Sequence, residues 1–278
     1  MKKFITVATA LAIGSMLVLA VPTSVLAATS PVLVGSAGYS VLGGAGVTCT
    51  GSTTTTGAVG VSPGTSITGF PTPCSAGGGT QSNNASAIAA QADALTAFGT
   101  LDQPCDHTYG AQDLTLLSPL GPGVYCSTSS FSLSGNLQLT GTGVWIFKTV
   151  STITTSPGSS VTGGDPCNVW WRIGSSATLG TTTAFIGTVI AQNGVNALAT
   201  GATLNGRILG LSAATVSLDA NTISGPTCTT STTTTGTPTT GAFGVTPNGI
   251  PLLDIAFALF CVGVLATSTG LWMRRKDA

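Results

Sequence analysis

Val61-Ser-Pro-Gly-Thr-Ser-Ile-Thr-Gly69 returns almost unchanged as Thr155-Ser-Pro-Gly-Ser-Ser-Val-Thr-Gly163. A Pro-Gly turn followed by alternating hydroxyl-bearing and β-branched residues can stack on copies of itself. Each copy buries Ile67 or Val161 and leaves its hydroxyls outside. The composition around the repeat agrees with a chain built to present a surface. Charged residues are 6% of it, far below the roughly 25% of an ordinary soluble domain, and glutamate is absent, yet hydrophobic residues are 42%. Such a chain has enough apolar material for a core and outer faces made mostly of neutral hydroxyls. Between Ala28 and Gly249 three bases face six acids, a net −3, which argues against nucleic acid as a partner.

The two ends predict where the protein is placed. Lys2 and Lys3 precede an apolar run from Phe4 to Val21, and Val25-Leu26-Ala27 suits signal peptidase, so residues 1–27 read as a signal peptide. The run Ile255 to Met273 carries no charge and is followed by Arg274, Arg275 and Lys276. At about 1.5 Å per residue it is long enough to cross a hydrocarbon core of about 30 Å. Residues 250–273 are therefore expected to form a transmembrane helix with a basic cytoplasmic tail, 274–278, and an extracellular body at the cell surface. The Thr-, Pro- and Gly-rich stretch 229–249 cannot bury a core and reads as a stalk open to glycosylation.

Cysteine usage fits export. Cys49, Cys74, Cys105, Cys126, Cys167 and Cys228 lie in the body, enough for three disulfides. Spacing does not determine their connectivity, but neighbours in a stack tend to be close. That favours Cys49 with Cys74 and Cys105 with Cys126, leaving Cys167 with Cys228. No Cys-x-x-Cys occurs and His107 is the only histidine, so neither a metal site nor a cofactor is expected.

In the body, 28–228, one segment reads as a helix, about 84–99. Asn84 caps it, Ile88, Ala92, Leu95 and Phe98 fall on one face expected to dock on the sheets, and Gly99 marks the end. From Gly121 onward, short apolar runs alternate with Gly and hydroxyl punctuation and read as strands. A five-residue register links Pro157 to Val161, Ser175 to Leu179, Thr200 to Leu204 and Asp219 to Ile223. Its fourth positions are Ser160, Thr178, Thr203 and Thr222, separated by 18, 25 and 19 residues, a step that suits one turn of a three-sided β-helix. Those hydroxyls should then line up across coils. Leu179, Ile186, Leu204, Ile208, Leu218 and Ile223 are expected inside, with Trp145, Trp170 and Trp171 packing at an edge or against the helix.

Several linked motifs in one order carry a resemblance. Pro166-Cys-Asn-Val-Trp-Trp-Arg-Ile-Gly-Ser-Ser-Ala-Thr-Leu-Gly180, Phe185-Ile-Gly-Thr-Val-Ile190, Gly201-Ala-Thr-Leu-Asn-Gly-Arg207 and Leu218-Asp-Ala-Asn-Thr-Ile223 resemble the ice-binding proteins with a discontinuous β-solenoid. Gly60-Val-Ser-Pro-Gly64 and Pro122-Gly-Val-Tyr-Cys126 do too, so the likeness spans about Ser36 to Gly225. It implies a mainly β fold: a right-handed three-sided β-helix, one long α-helix alongside, and coils that are not consecutive in sequence. It also implies adsorption to ice through one flat face, with a Thr-Ala/Gly-x-Thr/Asn motif that maps onto Thr200-Gly201-Ala202-Thr203.

The residues support that expectation independently. Ice adsorption needs a flat, rigid face with methyls and hydroxyls at regular intervals, and strand spacing of about 4.8 Å supplies the regularity. Thr178, Thr200, Thr203, Thr222, Ser175 and Ser160 are the candidate ice-binding residues. The expected partner is an ice surface, reached by a membrane-anchored, extracellular protein. A cell-surface adhesin or envelope module on the same fold, binding glycans or other cells, is the alternative. An enzyme is not expected. Polysaccharide lyases and hydrolases on β-helices need converging carboxylates or a calcium cluster, and Asp102 and Asp106 beside His107, with Asp165 and Asp219 far off in sequence, supply no such pair. No Gly-x-Ser-x-Gly elbow supports a hydrolase triad.

Overall fold

The computed structural model describes residues 27–228. Strand pairings within them are parallel, and strands recur in threes along the chain. One coil comprises Gly123–Ser127, Phe131–Leu133 and Asn136–Leu139. The next, Trp145–Thr149, Ile153–Thr155 and Ser160–Gly163, lies on it segment by segment. Repetition produces three walls. One is a separate eight-stranded sheet; the other two form a fourteen-stranded sheet, because Ala184–Ala191 and Thr203–Gly210 run without a break from one wall into the other.

The stack is discontinuous in sequence, as expected. Tyr39–Gly43 pairs with Thr203–Gly210, Gly46–Thr50 with Thr215–Asp219, and Thr54–Thr55 with Thr222–Ile223, so the first coil of the chain continues the last. The helix, Ala85–Thr100, leaves the early end after Thr80–Ser82 and leads to His107–Tyr109 at the other end. Its 16 residues span about 24 Å at about 1.5 Å each. Asn84 caps it by accepting a hydrogen bond from the Ala87 amide at 3.0 Å.

The core lies between the walls and follows the alternation of the strands. Tyr125, Phe147, Trp171 and Phe185 stack along it, with ring centroids 5.4, 4.2 and 4.6 Å apart in turn. Leu179, Leu204, Ile208, Leu218 and Ile223 are buried as expected. Ile186 is not: Phe185 takes the inward position, and Ile186 is half-buried on the next outward one. Trp145 and Trp171 are core residues, whereas Trp170 lies in the second cluster, beneath the helix. The three disulfides pair Cys49 with Cys74, Cys105 with Cys126 and Cys167 with Cys228.

Two expectations are corrected. The helix docks not through Ile88, Ala92 and Leu95, which are exposed, but through Ala87, Ala90, Ala94, Ala97 and Phe98. Alanines let the helix backbone approach closely, while Tyr39, Leu42, Ile146, Trp170 and Ile190 of the wall supply the bulk. The two copies of the opening repeat also occupy different walls. Ser66–Thr68 belongs to the eight-stranded sheet and Ser160–Gly163 to the third wall, since Pro-Gly suits any corner of the coil.

No helix among the described residues is long and apolar enough to cross a membrane. Apart from Ala27, the expected signal peptide, stalk, span and tail lie outside the described residues.

Candidate hydroxyl-bearing faces

The eight-stranded sheet turns one side chain of each strand outward in unbroken register. Asp113 pairs with Ser132, Ser132 with Thr154, Thr154 with Thr178, Thr178 with Ala197, Ala197 with Ser217, Ser217 with Thr48, and Thr48 with Thr68. Seven of these eight positions are Ser, Thr or Ala. The alternate residues Leu133, Ile153, Leu179, Leu198, Val216 and Val47 point into the core and fix the direction of the column. Among the described residues none of the six Ser and Thr hydroxyls in it makes a side-chain hydrogen bond. Seven strand spacings of about 4.8 Å make the column about 34 Å long. A parallel row, Val195, Thr215, Gly46 and Ser66, carries no charge.

The third wall carries a shorter column: Asn136, Ser160, Ala184, Thr203, Thr222, Thr54 and Ser75. Here the Ser160 hydroxyl donates to Asn136 Oδ1 at 2.9 Å, and the next row includes Gln138 and Asn205. Three of its strands, Thr54–Thr55, Ser75–Ala76 and Thr222–Ile223, have only two residues.

The six candidate residues are thus divided. Ser160, Thr203 and Thr222 share the third wall, and Thr178 belongs to the eight-stranded sheet, so the single register read from the sequence is corrected to two. Ser175 and Thr200 lie at corners. The Ser175 amide donates to the Ser151 carbonyl at 2.8 Å, and the Thr200 hydroxyl donates to Asp219. Sequence reasoning missed Ser132, Thr154, Ala197, Ser217, Thr48 and Thr68. The signal was in the spacing: Thr154, Thr178 and Ala197 are separated by 24 and 19 residues, and so are Ser160, Ala184 and Thr203.

The carboxylates are held by hydrogen bonds and ion pairs. Asp93 accepts from the Gly35 amide, Asp106 from the Val124 amide and Asp165 from the Cys167 amide, at 2.7 to 2.9 Å. Burial pushes the Asp113 carboxyl up, but hydrogen bonds from Ser134 and Thr115 outweigh it and hold the group below its usual range. Asp102 is ion-paired with Lys148 and Arg172. His107 stacks on Tyr125, centroids 5.1 Å apart. No group of three His, Cys, Asp or Glu among the described residues could hold a metal ion.

Known proteins share this architecture. The Ice-binding-like family model matches residues 41–224. An ice-binding protein of Nostoc sp. (strain HG1) is 39% identical over 213 residues, 73% of this chain and 77% of that protein. The crystal structure of an ice-binding protein from an Antarctic biological consortium superposes with a TM-score of 0.67 at 35% identity, covering 74% of this chain and 96% of that one. That of the Antarctic ascomycete Antarctomyces psychrotrophicus gives 0.66 at 33%, covering 72% and 100%. These two solved chains consist almost wholly of the matching region. With well over half of its length matched, the chain belongs to the Ice-binding-like family.

Proposed function

We propose that this protein adsorbs to ice through the eight-stranded wall of a right-handed, three-sided solenoid, and so shapes or slows crystal growth or holds a cell to ice. The observation that carries the reading is the column from Ser132 to Thr68, whose hydroxyls are free and regularly spaced. Such a face orders water at little entropic cost, because the strands already fix the spacing, and the column from Ser132 to Thr68 itself carries no charge, with Asp113 at its end and Asp219 along its border. The signal peptide and C-terminal span expected from the sequence place the domain outside the cell on a stalk. An adhesin on the same fold is the alternative, and glycans or another cell surface would be its ligands.

The test is nanolitre osmometry on the oxidised fragment 28–228. Faceted crystals and a gap between melting and freezing are expected. Thr154→Tyr and Thr178→Tyr should remove most of that gap while leaving the melting temperature of the protein unchanged. Thr203→Tyr should leave the gap intact; if it alone removes the activity, the site lies on the third wall with Ser160 and Thr222. Round crystals from folded wild-type fragment would reject ice binding and favour the adhesin.

A further inference from the structure

Two asparagines among the described residues are followed by glycine, Asn193 by Gly194 and Asn205 by Gly206; Asn248 with Gly249 lies outside those residues. An asparagine so placed can lose its side-chain amide, because glycine has no side chain to hinder attack by its own backbone nitrogen. The reaction needs that nitrogen free and the backbone able to turn towards the asparagine side chain. The two pairs differ on both counts. Residues 192–194 form the corner between Ala184–Ala191 and Val195–Leu198. Asn193 and Gly194 are exposed there, and Gly194 has φ +75°. Among the described residues neither the Asn193 side chain nor the Gly194 amide is hydrogen-bonded. Asn205 and Gly206 instead lie inside Thr203–Gly210, where the buried Gly206 amide donates to the Ser224 carbonyl at 3.0 Å.

We propose that Asn193 is a site of spontaneous deamidation and that the fold protects Asn205 from the same reaction. The Gly194 nitrogen bonds to Cγ of Asn193, the Cγ–Nδ2 bond breaks, and Nδ2 leaves as ammonia with the proton of the Gly194 amide. Water then opens the cyclic imide at one carbonyl or the other, giving aspartate or isoaspartate, with no change of oxidation state. Either product adds a negative charge two residues before Val195, at the entrance to the eight-stranded wall. Isoaspartate also puts an extra methylene into the main chain. It does so beside the bond in which the Thr215 amide donates to the Gly194 carbonyl at 3.0 Å, a link between successive coils. At Asn205 the strand must open before the Gly206 nitrogen can turn, so the cost of that opening is added to the barrier.

The test is incubation of the full chain in mildly alkaline buffer, where the attacking nitrogen gives up its proton more readily, followed by peptide mapping by mass spectrometry. Asn193 should convert to the acid at least about tenfold faster than Asn205, equivalent to about 1.4 kcal/mol of barrier. Labelling by an isoaspartate-specific methyltransferase should fall on the peptide that holds residue 193. In concentrated urea with the disulfides reduced, both pairs lose their surroundings and the two rates should converge. Asn193→Gln should stop conversion at this position, since the ring would have to be one atom larger, and the exposed side chain makes the change harmless to folding. An unmodified Asn193 would overturn the proposal. So would equal rates at Asn193 and Asn205 in the folded chain, or a difference between them that survives in urea, which would trace it to the neighbouring sequence rather than to the fold.

Discussion

A Cβ added to Gly206 would sit 1.8 Å from the carbonyl oxygen of Gly187, the residue beside it in register. These two glycines occupy the corner where eight-residue strands pass from the third wall to the helix-covered one, and the backbones meet there with no room for a side chain. Gly206→Ala is therefore expected to cost about 3 kcal/mol, measured as a shift in urea midpoint. Asp102 is the other decisive single residue. Lys148 and Arg172 are neighbours in register, two like charges side by side, and Asp102 lies 2.8 Å from Lys148 Nζ and 3.5 Å from Arg172 Nη2. The hydrogen bond from Lys148 draws its carboxyl below the usual range; burial opposes this, and the charges of Arg172 and Lys148 add to it. A depressed folded value gives stability that is present above the unfolded pKa and lost as pH falls through the folded one. Asp102→Asn should thus cost up to about 1 kcal/mol near neutrality, because the carboxylate is more than half exposed. The difference from wild type should shrink towards zero in acid, which denaturation at several pH values checks.

The helix shows how far pattern reading reaches at the scale of an element. Its existence, its Asn84 cap and its length to within a residue or two follow from local signals that tertiary structure did not need to override. Its docking face does not follow, because the helix has two apolar faces and size, not hydropathy, decides between them. Leu95 looked like core and is solvent-facing, whereas Ala94 is fully buried. Ala94→Leu should cost about 1–3 kcal/mol by pushing the helix off the wall, and Leu95→Gln less than about 0.5 kcal/mol, as thermal unfolding of the two variants would show. Strands were more legible than the helix face. Val169–Ile173, Ala184–Ala191 and Val195–Leu198 coincide with their apolar runs, since a strand in a parallel stack is flanked by turns that glycine and hydroxyl residues announce.

For the whole molecule, the parallel stack, its discontinuity and its disulfides were legible, but the assignment of walls was not. Five-residue motifs at Ser175 and Thr200 look alike because each turns a corner, yet one leads into the eight-stranded sheet and the other into the third wall. A corner motif states that the chain turns and not which turn this is; only the count of segments between motifs carries that, and the coils differ in length. The chain ends also depend on contacts that no local pattern encodes. Buried Arg207 donates from Nε to the Ala37 carbonyl at 3.0 Å and from Nη2 to the Pro226 carbonyl at 2.7 Å, and Ser30 meets Trp170 and Asn168. Beside them the Cys167–Cys228 bond seals a loop of 61 residues holding the coils from Val169 to Ile223. A pull applied at Cys228 would therefore pass through sulfur to the corner at Cys167. The coils between the two cysteines cannot be unspooled from that end while the bond is intact.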